Sequence, residues 1–147
     1  MTALTRRRDP DSREEAWLIF YGEVRAGAIG QRSGKPPGTD LWFWRCGFCP
    51  GSEPGDSANG MAADFDEARD AFERAWVIFL SKRTEADFEE WRRHRASTAW
   101  KYAMWDAGCR LRTQMADGRS RCFCGAEIDV NTTSAHIYAA HMEPKAA

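Results

Sequence analysis

The hydrophobic period of this chain changes once, near residue 64, and that change limits the fold more than any other feature. Before it, apolar residues come in short runs bounded by glycine and proline. Ala16 to Gly30 reads AWLIFYGEVRAGAIG and Leu41 to Phe48 reads LWFWRCGF, both rich in the β-branched and aromatic side chains that suit strands. After it, Phe65, Ala68, Phe72, Ala75, Trp76, Phe79 and Leu80 recur at the spacing of one helical stripe. Strands followed by helices predict an α+β fold.

The first run predicts two strands turning near Tyr21, Gly22 and Glu23. The second predicts one strand, with Leu41, Phe43 and Arg45 on one face and Trp42, Trp44 and Cys46 on the other. Residues 31–40 and Pro50 to Gly60 read as loops, from their proline, glycine, serine and asparagine. Asp64 followed by Glu67 is a capping-box pattern, and Thr84 with Asp87 opens a second helix ending before Gly108. On that helix Phe88, Trp91, Ala99, Tyr102 and Trp105 are expected to line one face, broadened by Trp100 and Met104. The expectation is a small antiparallel sheet of about three strands, packed by helices at 64–80 and 85–106, plus a C-terminal zinc-knuckle segment. Residues 1–15 read as a flexible arm, 16–108 as the α+β domain, 109–121 as a basic linker and 122–147 as the knuckle.

Charge is unevenly placed. The 147 residues carry a net charge of -1, yet residues 91–121 hold 8 Lys or Arg against 2 Asp or Glu. Arginine supplies 17 of the 21 basic residues, and its planar fork suits phosphate or carboxylate. Arg92, Arg93, Arg95, Arg110, Arg112, Arg119 and Arg121 are the candidate nucleic-acid contacts, with a solvated helix face as the simpler alternative. Single-stranded nucleic acid also stacks on tryptophan beside arginine, but Trp42, Trp44, Trp76, Trp91, Trp100 and Trp105 more simply build a core. No apolar run approaches the roughly 18 residues of a membrane helix, and the basic N-terminus has no apolar stretch behind it. No membrane association and a cytoplasmic location are therefore expected.

Five cysteines fall as Cys46-x-x-Cys49, a lone Cys109 and Cys122-x-Cys124. An odd number without an export signal favours reduced thiols or metal ligands over disulfides. Two of the three histidines, His136 and His141, follow Cys124 closely. The order Cys-x-Cys, eleven residues, His-x4-His offers two thiolates and two imidazoles, a donor set suited to zinc. Cys122, Cys124, His136 and His141 are the candidate ligands. The segment resembles a shortened two-Cys, two-His zinc finger, and Ile128 matches the apolar residue that family places four positions after its second cysteine. Thr133 stands where the family has an apolar residue, and a single residue separates the cysteines where the family has at least two. Gly125 can relieve that tight chelate, and Asn131, Thr132 or Thr133 can cap the histidine-bearing helix.

A rival set joins Cys46 and Cys49 to Cys122 and Cys124 as an all-thiolate site. A redox use of Cys46 and Cys49 lacks the helix N-terminus that lowers a thiol pKa, because Pro50 and Gly51 follow at once. Glu127 and Asp129 read as solubilising carboxylates, and His94 as a helix-surface group. Phosphate-binding loops, nucleophile elbows and zinc-protease motifs are absent, and four ligands leave no open metal position, so an enzyme is not expected. The stretches Trp42 to Gly51, Asp66 to Trp76 and Lys101 to Gly108 are similar to a family of small uncharacterised bacterial proteins, a resemblance that implies no activity. The expected role is a non-enzymatic zinc-containing binding or regulatory module, with nucleic acid or a partner protein as its target.

Overall fold

The computed structural model describes residues 3–34, 36 and 41–142. The elements are β1 (Leu4–Arg8), β2 (Ala16–Tyr21), β3 (Val24–Gln31), β4 (Trp42–Cys46), β5 (Ala58–Ala62), α1 (Phe65–Ser81), α2 (Glu85–Asp106), β6 (Arg119–Arg121), β7 (Glu127–Asp129) and α3 (Thr133–Ala140). The loop expected at 35 and 37–40 and the last five residues of the knuckle segment lie outside the described residues. The chain forms two compact units, Met1–Trp91 and Arg92–Ala147.

In the first unit β1 to β5 form one antiparallel sheet in chain order, each strand paired with its neighbour. This corrects the expected three strands to five. The two additions fall where composition hides them. β1 reads LTRRR, but Arg6 and Arg8 lay their guanidinium groups over the Trp17 ring at 4.5 and 5.8 Å. Cations stacked on an aromatic ring suit an edge strand, where charge also discourages pairing with another chain. β5 reads ANGMA, and its first three residues fall in the loop expected from Pro50 to Gly60. Gly60 is needed there because the Trp44 indole lies across it, and a Cβ would stand 2.8 Å from the indole nitrogen.

The β2–β3 turn falls at Gly22 as expected, with φ at +61°. The strand register shifts between Ile19 and Phe20, a bulge that puts the extra residue on β3. Beyond the bulge, Ile19, Gly27, Ile29, Trp42, Cys46 and Ala62 share the inner face, and Ala68, Phe72, Trp76 and Phe79 of α1 pack against it. Gly27 permits that closeness: a Cβ there would meet the Arg45 carbonyl and come within 2.8 Å of the Phe72 ring. α1 starts as expected, with Asp64 accepting from the Glu67 N–H at 2.8 Å. Glu67 in turn accepts from the Ala63 N–H, one residue earlier than the usual box.

α2 opens with Thr84 and Asp87 exchanging side-chain-to-backbone hydrogen bonds at 2.7 and 3.3 Å. Its expected face is corrected. Trp100 and Met104 are buried, whereas Tyr102 and Trp105 are 69% and 80% exposed. Phe88 and Trp91 pack into the first unit's core, and Ala96, Trp100 and Met104 into the second's. A helix serving two cores has no single stripe, so periodicity misassigns its later turns.

Arg83 ties the first unit together. Its side chain is 5% exposed and donates to the Phe79 and Gly51 carbonyls and to Asp56, the last at 2.8 Å. In the second unit β6 and β7 form a hairpin, followed by α3, around a core of Trp100, Met104, Cys122, Ile128 and Ile137. Residues 109–121, linker-like in composition, hold a 3-10 turn at Arg112–Gln114 and then β6, with Ser120 donating to the Arg110 carbonyl.

Candidate metal centre

The hairpin, its turn and α3 each position part of the site. Cys122 follows β6 and is 2% exposed, its N–H donating to the Ala126 carbonyl at 2.9 Å. The Gly125 N–H donates back to the Cys122 carbonyl at 2.8 Å. Gly125 takes φ +95°, a value that favours glycine, and so closes the turn around the single residue between the cysteines. Phe123, that intervening residue, lies with its ring 4.7 Å from the His141 ring.

Asp129, expected to be merely solubilising, organises the entry to α3. Its carboxylate accepts from the backbone N–H groups of Asn131 and Thr132 at 2.8 and 3.0 Å, and its carbonyl accepts from the Thr133 hydroxyl. The Asn131 N–H contact is the largest cause of its lowered pKa; the Thr132 contacts and Arg119 add to it, and partial desolvation opposes it. Thr132 is the N-cap by backbone position but makes no side-chain cap to the helix.

His136 sits within α3 and His141 is the residue that ends it. Histidines five apart would diverge by about 140° around a continuing helix. Here the helix stops, His141 leaves helical geometry at φ -128° and ψ 1°, and its ring returns to the same side.

The four candidate ligands converge. Cys122 Sγ lies 3.3 Å from His141 Nε2, Cys124 Sγ 3.4 Å from His136 Nε2, and the two Nε2 atoms are 3.2 Å apart. All four donor atoms lie within 4.8 Å of one another. A tetrahedral shell with the usual zinc bond lengths has edges of about 3.3 Å between nitrogens and about 3.6 Å between nitrogen and sulfur. The cluster is therefore close enough to bind a metal ion, and its dimensions are consistent with zinc. Burial, and secondarily the neighbouring His136, lower the His141 pKa, favouring the neutral imidazole that ligation needs.

One neighbour was not legible as part of the site. The Trp100 indole N–H donates to Cys122 Sγ at 3.2 Å within the buried core. Tryptophan on α2 reads as core filling, and nothing in spacing pairs it with a cysteine 22 residues on. The rival all-thiolate set draws on both units, Cys46 and Cys49 from the first and Cys122 and Cys124 from the second. Among the described residues the metal-compatible group is Cys122, Cys124, His136 and His141, while Cys46 is buried in the sheet core and Cys49 is exposed. Burial pushes the Cys46 thiol up to about 12.

Of the candidate nucleic-acid arginines, Arg92, Arg93 and Arg95 lie on α2, Arg110 and Arg112 in the segment after it, and Arg119 and Arg121 on β6. Arg93, Arg95, Arg110, Arg119 and Arg121 are exposed, Arg92 and Arg112 half-buried. Arg93 lies over the Tyr138 ring at 5.0 Å, Arg121 pairs with Glu127 at 3.2 Å, and Arg119 stands opposite Asp129 in the hairpin. His94 is exposed on α2, as expected. No helix among the described residues is long and apolar enough to cross a membrane.

No protein-family model, curated protein or solved structure matches the chain at a significant level. The likeness to a bacterial family therefore gains no support, whereas the finger-like order of cysteines and histidines is matched by geometry.

Proposed function

We propose that this chain is a non-enzymatic, zinc-containing binding module. In this reading Cys122, Cys124, His136 and His141 hold one structural zinc, and the exposed arginines of 92–121 contact nucleic acid. The observation that carries the reading is the set of 3.2 to 3.4 Å separations, with all four donors within 4.8 Å of one another, close enough to share one metal ion. Four protein donors complete the coordination of a structural zinc and leave no position for water or substrate. The Trp100 N–H on Cys122 adds an outer hydrogen bond of the kind that orients a ligand. Zinc would also stabilise a unit of few buried apolar residues.

Elemental analysis of protein purified without added metal tests the reading. One zinc per wild-type chain, and none in Cys122→Ser with His136→Ala, is the expected result. Absence of metal from the wild type would remove the proposal. For the arginines, binding to an oligonucleotide should weaken steeply with added salt.

A protein-protein adaptor is the second reading, favoured by one observation. Tyr102 and Trp105 are largely exposed one turn apart on α2, the composition of a binding anchor. Capture through those rings would resist salt.

A further inference from the structure

The sheet of the first unit has two faces, and α1 packs on one. Strand register fixes what the other presents. Thr5, Phe20 and Arg25 stand in one row, Arg7, Leu18 and Arg45 in the next, and Gly30, Phe43 and Met61 in a third. The solvent face of an antiparallel sheet is ordinarily polar. Here its strand positions carry two phenylalanines, a leucine, an exposed methionine and three arginines, with no aspartate or glutamate. Asp9 and Glu14 lie in the β1–β2 connection, where Asp9 is engaged by the Asp11 N–H at 3.0 Å and Glu14 lines a surface cleft together with Arg13, Arg32 and Phe43.

The rings and charges are organised together. Arg7 lies over the Phe20 ring at 5.0 Å and Arg45 over the Phe43 ring at 5.1 Å. Phe43 lies close against the Gly30 backbone, since a Cβ on Gly30 would stand 3.0 Å from two of its ring atoms. From the register, Phe20 and Phe43 are separated by two strand spacings and four residues, roughly 17 Å, a span of several extended nucleotides. Pairing this face with a second copy would set Arg7, Arg25 and Arg45 against their own kind, so an anionic occupant fits better. An occupant with flat rings and regularly spaced negative charge uses both features: phosphates draw the Arg7 and Arg45 guanidinium groups off the rings, and bases take their place on the phenylalanines.

We propose that the uncovered sheet face binds single-stranded nucleic acid, with Phe20 and Phe43 stacking bases and Arg7, Arg25 and Arg45 holding phosphates. The arrangement reads base faces rather than edges, so binding is tolerant of sequence. It rests neither on the zinc reading nor on the arginines of 92–121.

Fluorescence anisotropy with labelled single-stranded DNA and RNA 12-mers, on the full chain with zinc, tests it. Phe20→Leu with Phe43→Leu should weaken binding about tenfold or more, since each lost stacked base is costly. Arg7→Gln, Arg25→Gln and Arg45→Gln together should flatten the salt dependence by about 0.7 per lost phosphate contact, or roughly two in log-log slope. Arg69→Gln with Arg74→Gln, exposed on α1 against the opposite face of the sheet, should leave this binding within about threefold. Ultraviolet crosslinking of the wild type, mapped by mass spectrometry, should mark peptides carrying Phe20 or Phe43, and it needs no variant to fold. No binding to either 12-mer overturns the proposal. So does an equal loss in the Arg69 and Arg74 variant, crosslinks confined to 92–142, or a dimer that the phenylalanine variants dissociate.

Discussion

At the scale of residues, two side chains do work that their own identity does not announce. Trp100 donates to the buried Cys122 sulfur, where the alternative for either group is an unsatisfied polar atom in an apolar core. Trp100→Phe keeps most of the volume and removes the donor. Outer hydrogen bonds typically tune metal affinity by 10- to 100-fold, so this variant should lose zinc to a competing chelator at about tenfold lower chelator concentration. An unchanged competition curve would restrict Trp100 to packing. Arg83, almost fully buried, is met by Asp56 and two carbonyls. The Arg83 hydrogen bond, aided by the Glu53 N–H, lowers the Asp56 pKa. A carboxylate whose pKa is depressed in the folded state stabilises fully above its unfolded pKa, and that stabilisation fades as pH falls through the folded one. The difference in stability between wild type and Asp56→Asn should therefore be full near neutrality and shrink below about pH 4. Denaturant titrations at a series of pH values would show it, and a difference that grew in acid would contradict the pairing.

At the scale of elements, α2 carries the clearest lesson. Read as one amphipathic stripe, it places Tyr102 and Trp105 with Phe88 and Trp91 in a common face. Of that face its later turns bury only Trp100 and Met104, the residues expected to broaden it, and leave Tyr102 and Trp105 exposed. Trp100→Ala should cost about 3–5 kcal/mol, the range for emptying a large buried aromatic site. Trp105→Ala should stay within about 0.5 kcal/mol, as expected for a surface change. Chemical denaturation of the two variants, followed by circular dichroism, decides between the assignments, and equal losses would restore the single stripe. Capping, by contrast, was legible for both long helices, because Asp64 with Glu67 and Thr84 with Asp87 act within four residues of chain. α3 was less legible. Its entry is organised around Asp129, four residues before the helix begins, to which Thr132 and Thr133 bond, and Thr132 makes no side-chain cap.

At the scale of the whole molecule, the two compact units carry separate cores, one built on the five-stranded sheet and one on the β6–β7 hairpin with α3. The second core holds few buried apolar side chains, and a metal would link its hairpin to its helix. Chelator treatment should therefore abolish amide protection in α3 and the hairpin while β2 to β4 keep theirs. Hydrogen exchange read by mass spectrometry would show the contrast, and equal protection with and without chelator would deny the metal a structural role.

The sequence by itself determined what depends on near neighbours. It carries the change of hydrophobic period, the turn at Gly22, the two capping pairs and the four metal-ligand candidates, all set by residue type and short spacing. Tertiary structure alone decided the rest. β1 and β5 become strands because partners supply hydrogen bonds and rings that LTRRR and ANGMA do not advertise. The convergence of Cys122, Cys124, His136 and His141 depends on where α3 stops, and the donor on Cys122 comes from α2, 22 residues away. Contacts between distant residues are fixed by packing, and no local pattern encodes which of several buried aromatics will meet a given sulfur.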